Sequence, residues 1–136
     1  MRVYLAGPIF GQSDPACRDW REMATALLPD SWEILNPMAR DYRGREDDCA
    51  EEIVEGDLLD IRRCHLMLVN APCPSWGTAM EIRQAYMWDI PIFVVTPHRS
   101  ISPWLRYHAH HCGHSLEFVC DEMVALYFHE GEGRVR

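Results

Sequence analysis

Two carboxylates stand where an ordinary surface residue would not. At about 100° per residue, the helical pattern from Asp47/Asp48 to about Arg63 turns Ala50, Ile53, Val54, Leu58, Ile61 and Cys64 onto one apolar stripe. Asp57 falls near the middle of that stripe, whereas Glu51, Glu52 and Glu55 fall outside it. A carboxylate there is costly unless it is paired or functional. Asp57 is therefore either a buried acid satisfied by a backbone amide or an arginine, or a carboxylate aimed at a ligand. The second carboxylate closes the run Ser75-Trp76-Gly77-Thr78-Ala79-Met80-Glu81. Taken alone, Thr78-x-x-Glu81 is a capping box, with Thr78 as N-cap and Glu81 in the first turn. Taken with Asp57, Glu81 completes a carboxylate pair of the kind that cleavage at an anomeric carbon requires.

Other residues invite chemistry less strongly. His108, His110, His111, Cys112 and His114 crowd together, but without the paired C-x₂-C and H-x₃₋₅-H order of a structural zinc site. They read as a helix end and loop with satisfied imidazoles, and no metal is expected. Trp76 and Trp104 have rings able to stack a base, although burial is the commoner fate of tryptophan.

The elements that must position these residues alternate. Arg2–Ala6 is a β-rich run stopped by Gly7-Pro8, and Trp32–Leu35 is a second short strand ended by Asn36-Pro37. His65–Asn70 and Ile90–Thr96 are apolar throughout, as central strands of a parallel sheet are. Asp14-Pro15 supplies an N-cap and N1 proline for a helix whose period runs through Cys17, Trp20, Met23, Ala24, Leu27 and Leu28. A third helix spans about Thr78 to Trp88, Pro103–His111 is a candidate fourth, Leu116–Val119 a candidate last strand and Asp121–Tyr127 a closing helix. Residues 38–45 are polar and read as a mobile loop, and 131–136 as a frayed tail after a domain spanning 1–130. The fold class is α/β: one domain, an open parallel five-stranded sheet, helices on both faces. In such sheets ligands bind beyond the carboxyl ends of the strands, which selects Gly7–Ser13, Asn36–Arg45, Asn70–Glu81 and Thr96–Ser102.

Composition narrows the function classes. The 136 residues carry 13 Lys and Arg against 21 Asp and Glu, a formal charge of −8 without any basic cluster, which excludes a general nucleic-acid binder. The apolar runs fall far short of the roughly 20 residues that span a bilayer, and no signal segment precedes the first strand, so neither a membrane nor export is expected. Six scattered cysteines without CxxC fit free thiols in the cytoplasm.

Three motifs then become specific. Tyr4-Leu5-Ala6-Gly7-Pro8-Ile9-Phe10, Glu55-Gly56-Asp57-Leu58 with Ile61, and Gly77-Thr78-Ala79-Met80-Glu81-Ile82 with Ala85 resemble, in order over residues 2–97, the nucleoside 2-deoxyribosyltransferase superfamily. The resemblance implies a flavodoxin-like (Rossmann-like) sheet and a homodimer in which the neighbouring subunit helps close each pocket. It also implies cleavage of an N-glycosidic bond through a covalent glycosyl-enzyme intermediate, with no metal or organic cofactor. Carried over residue by residue, Glu81 is the nucleophile at C1′, Tyr4 holds it through its hydroxyl, and Asp57 contacts the substrate and assists departure of the base. Gly7, Pro8, Ile9, Phe10, Ser75, Gly77 and Arg18 are the implied substrate-binding residues, with Gly7 allowing close approach of the backbone to the sugar.

One departure bears on the substrate. The transferases commonly carry an Asp six residues before the nucleophile, where this sequence has Ser75. In the related branch of 2′-deoxynucleoside 5′-monophosphate N-hydrolases, a Ser at that position binds phosphate, and a hydroxyl near a helix N-terminus suits an anion. Ser13, Arg18 and the loop 99–102 are further candidate donors. Cys64-His65 replaces the Ala-Asp that commonly ends the family's second helix. The expected function is an N-glycosidase acting on a (deoxy)nucleoside 5′-monophosphate. Base exchange between deoxynucleosides is the alternative, and a non-catalytic nucleotide-binding module the more distant one.

Overall fold

The computed structural model describes residues 1–129; the expected tail at 131–136 lies outside them. Among the described residues there are five strands, β1 (Arg2–Ala6), β2 (Glu33–Leu35), β3 (Leu66–Asn70), β4 (Ile92–Val95) and β5 (His111–Gly113). They alternate with α1 (Asp14–Leu27), α2 (Ala50–Arg63), α3 (Trp76–Met87), α4 (Pro103–His108) and α5 (Leu116–Tyr127), and a 3₁₀ turn, Pro37–Ala39, follows β2. All pairings are parallel, in the order β2-β1-β3-β4-β5. This is the flavodoxin-like order, whose switch point lies between β1 and β3.

The central strands read as apolar throughout because both faces are covered. Val3, Leu5, Leu66, Leu68 and Phe93 pack with Ala24 and Leu28 on the α1 side and with Val119 and Met123 of α5. The alternate residues Tyr4, Ala6, Met67, Val69, Ile92 and Val94 pack with Ile61 of α2 and with Ile82 and Ala85 of α3. That parity puts the Tyr4 side chain on the α2/α3 layer, at the strand whose end borders the switch point.

Several expected boundaries move. The run Leu116–Val119, expected as a strand, is the first turn of α5, capped by Ser115, whose Oγ accepts from Phe118 N at 3.1 Å. Four apolar residues fit either element until their packing is known. The last strand is instead His111–Gly113, paired with Phe93–Val95. Helix α4 accordingly ends at His108 rather than His111. Gly113 lets α5 lie directly on β5, since a Cβ there would meet Val119 Cγ2 at 2.7 Å.

The N-cap of α1 is Ser13, accepting from Ala16 N at 3.3 Å, so Asp14 is the first helical residue and Pro15 the second. Helix α2 begins at Ala50 behind Cys49, not at Asp47 or Asp48, because the amides of Asp48 and Cys49 close turns onto Arg45 and Glu46 carbonyls. Val54, assigned to its apolar stripe, is 55% exposed, whereas Ile61 and Cys64 are buried as expected. All six cysteines are free. Among the described residues no helix is long and apolar enough to cross a membrane.

Candidate active site

Beyond the ends of β1 and β3 lies a pocket of about 170 Å³. Gly7, Ile9 and Phe10 line it from the β1 loop, Asp57 from α2, and Ser75, Gly77, Thr78 and Glu81 from the start of α3. The segment after β2 contributes Pro37, Met38, Arg40, Asp41, Tyr42, Arg43 and Glu46. Of the expected substrate-binding residues, Pro8 and Arg18 are not in the lining; Ser13, a further candidate donor, caps α1 and also lies outside it. Phe10 stands 79% exposed at the mouth.

Helix α3 starts three residues earlier than the Thr78 capping box predicts. Ser75 is its N-cap, and Ser75 Oγ accepts from Thr78 N at 3.5 Å and from Thr78 Oγ1 at 3.1 Å. Ser75 and Thr78 are both good capping types, but the earlier start gains backbone bonds such as Ala79 N to Ser75 O at 3.0 Å. Glu81 therefore lies in the second turn and does no capping. Its Oε2 instead accepts a hydrogen bond from the Tyr4 hydroxyl. Burial pushes the Glu81 carboxyl up to about 8, and Asp57 adds to the rise while Tyr4 and Arg21 oppose it. Tyr4 is wholly buried, and burial together with the charges of Glu81 and Asp57 drives its hydroxyl far above the usual phenol range. It remains a neutral donor. Burial also raises Asp57, against the pull of Arg40.

Two arginines complete the site, and both escaped the motif analysis. Arg21 is the largest fully buried side chain. It donates to the Gly7 carbonyl at 3.0 Å and the Cys17 carbonyl at 2.7 Å, stacks 4.6 Å from the Trp20 ring centroid, and leaves Nε without a partner among the described residues. Its position four residues after Cys17 and three before Ala24 is the available signal, the same one that exposed Asp57. Arg40 donates to Asp57 Oδ1 at 3.3 Å and to Asp60 Oδ2 at 2.8 Å. At the mouth, Arg43 and Arg18 each bond both Asp14 and Asp41, tying the segment after β2 to the start of α1.

The histidine cluster is structural. His108 donates to Trp104 O at 2.6 Å and accepts from Arg83 at 3.1 Å, His110 Nδ1 accepts from Ile92 N at 3.0 Å, and His114 donates to Thr96 O at 2.9 Å. The His111 ring stacks on Phe93 with centroids 4.5 Å apart. Among the described residues no group of three or more His, Cys, Asp or Glu could hold a metal. Trp76 and Trp104 are 86% and 77% exposed and flank an adjoining groove of about 720 Å³ between α3 and α4, which shares Ser75 and Thr78 with the pocket and to which Ser100, Ile101 and Ser102 also belong.

A carboxylate held by a phenol, with a second acid in the same pocket, is equipped for displacement at an anomeric carbon. At the switch point of a flavodoxin-like sheet, that equipment suits an α/β protein of the glycosyl-transferring or glycosyl-cleaving class. The family model described as nucleoside 2-deoxyribosyltransferase matches residues 3–123, and the chain belongs to that family. It is thus an enzyme of nucleoside deoxyribosyltransferase or N-glycosidase type. Three similar solved structures share its fold. A 2-deoxyribosyltransferase from the psychrotolerant bacterium Bacillus psychrosaccharolyticus is 17% identical, with a TM-score of 0.71 over 89% of this chain and 91% of that one. A conserved protein from Enterococcus faecalis V583 is 19% identical, with a TM-score of 0.65 over 92% and 98%. The CMP N-glycosidase BcmB of Clostridium botulinum is 18% identical, with a TM-score of 0.60 over 90% and 98%. No curated protein sequence matches the chain.

Proposed function

We propose that this enzyme cleaves the base–sugar bond of a (deoxy)nucleoside 5′-monophosphate through a covalent glycosyl–Glu81 intermediate, releasing free base and sugar phosphate. The observation that carries the reading is Glu81 bonded to Tyr4 in a pocket it shares with Asp57. The Glu81 carboxylate attacks C1′, and the base leaves with the bonding pair while Asp57 assists its departure. Water then displaces the sugar from Glu81, its hydroxyl going to C1′ and its proton, through solvent, to the departed base. The Tyr4 hydroxyl holds the nucleophile through both displacements, and the Arg21 charge favours its ionised form. Splitting one hard displacement into two around an oxocarbenium-like transition state is the logic of a retaining mechanism.

Ser75 supports the monophosphate. Its lone pairs serve Thr78, which leaves its own hydroxyl proton to donate at the α3 N-terminus, where an anion is favoured. Arg43 at the mouth is a second donor, with Arg18 linked to it through Asp14 and Asp41. A homodimer with shared sites accords with a pocket smaller than the roughly 300 Å³ where ligand sites begin, beside exposed Trp76, Met80, Trp104 and Tyr107. Unpaired cysteines accord with a cytoplasmic setting.

The test is chromatography of nucleosides and 5′-monophosphates, ribo and deoxy, with and without a second free base, using Glu81→Gln as control. Base freed from monophosphates without an acceptor, lost in Glu81→Gln and weakened more for monophosphates than nucleosides in Ser75→Ala, is the expected result. A new nucleoside formed only with an acceptor would make the enzyme a transferase. Base release by Glu81→Gln at the wild-type rate would overturn the mechanism.

A further inference from the structure

Asp57 is fastened before any substrate arrives, by a residue that the family motifs do not contain. Arg40 follows the 3₁₀ turn, crosses α2 and divides one nitrogen, Nη2, between Asp57 Oδ1 at 3.3 Å and Asp60 Oδ2 at 2.8 Å. The crossing needs a notch, and Gly56 provides it: a Cβ there would stand 3.2 Å from Arg40 Nε. Asp60 is braced a second time, since its Oδ1 accepts from Arg63 Nε at 3.3 Å. The other oxygen of Asp57, Oδ2, has no hydrogen-bond partner among the described residues, and Asp57 lines the pocket.

The two acids lie one helical turn apart with side chains only 21% and 12% exposed. So close and so dry, two like charges repel strongly unless a cation lies between them. The remaining charged or titratable groups facing Asp57 are Arg21 from α1, Tyr4 from β1 and Glu81 from α3. None of these makes a hydrogen bond to it among the described residues.

We propose that Arg40 is a positioning residue: anchored on Asp60 in the Gly56 notch, it holds Asp57 as an anion with one oxygen free for the substrate. An anionic Asp57 hands no proton to the leaving base. It assists departure by stabilising the positive charge that develops on the sugar, and it accepts a hydrogen bond from a hydroxyl or amino group of the substrate. This catalytic meaning rests on the N-glycosidase reading; the state of Asp57 does not.

The deciding measurement is therefore a carbon-13 NMR titration of the Asp57 carboxyl in the full chain. Arg40→Gln should raise its midpoint by about one to three pH units, and Arg40→Lys should restore most of that change. Gly56→Ala, which introduces a better helix former, should move the midpoint upward with no loss of thermal stability. It thereby separates the clamp from any folding defect in Arg40→Gln. The pH profile of base release should shift in the same direction as each midpoint. An Asp57 midpoint unmoved in Arg40→Gln, or in Gly56→Ala if Arg40→Gln does not fold, overturns the clamp. A moved midpoint in a protein that frees no base upholds the clamp and overturns the glycosidase reading alone.

Discussion

Replacing Glu81 by Gln should change how stability depends on pH, whatever it does to catalysis. In the folded protein burial pushes the carboxyl up to about 8, against an ordinary value of 4.5. Below 4.5 both folded and unfolded chains hold the proton, and above 8 both have lost it. Between the two, the folded state holds a proton that the unfolded state gives up, so wild-type stability falls as pH rises through the window. At about 1.36 kcal/mol per pH unit, the full interval comes to about 5 kcal/mol, a large share of a small domain's total. A glutamine cannot titrate. Relative to wild type, Glu81→Gln should gain stability steadily from about pH 4.5 to 8 and hold that gain above it, with the melting temperatures diverging by about 3 °C per kcal/mol. Urea unfolding of both proteins at half-unit pH steps reads the difference directly. A difference that stays constant from pH 4 to 9 would refute the buried, proton-holding Glu81 and, with it, the reason for placing Arg21 and Tyr4 around it.

Two further substitutions probe the same corner. Tyr4→Phe removes a hydrogen bond to a charged acceptor, worth about 1.5–3 kcal/mol, so the acid limb of base release should rise from about 8 by one to two pH units. On the proposed mechanism the rate at pH 7 should fall about 10- to 100-fold and recover at alkaline pH; an unmoved limb would remove Tyr4 from the control of Glu81. Gly7→Ala would set a Cβ 2.7 Å from Trp20 Cζ2 and 3.2 Å from the Asn70 carbonyl. It should cost about 1–3 kcal/mol in chemical denaturation, and a neutral outcome would show that the β1 end can yield.

What could be read in the sequence was what depends on local pattern. Strands β1, β3 and β4 are legible because burial on both faces makes them continuously apolar, and Asp57 is legible because a short acid on an apolar stripe has nowhere to hide. Arg21 sits on an equally apolar stripe, yet an arginine's long stem normally carries its charge to water, so the same signal is weaker there. Ser75 and Thr78 are interchangeable as caps on paper, and only the packed helix ranks them. Strand β5, His-Cys-Gly, has no strand signature: it exists because Phe93–Val95 offer it a partner. Arg40 is 17 residues from Asp57 and 20 from Asp60, so their meeting is a fact of the folded chain alone.

The order of the sheet has a consequence for how copies of this chain can meet. Both outermost strands, β2 and β5, are only three residues long, offering about 10 Å of unpaired backbone each. Edges so short are poor templates for a strand from another chain. At the β2 edge, Glu33 is moreover tied to Arg63 at 3.2 Å, which adds charge to the little that is exposed. Runaway strand-to-strand growth is thereby discouraged at both ends, and any self-association falls to the helical faces, where it can stop at a defined number of subunits.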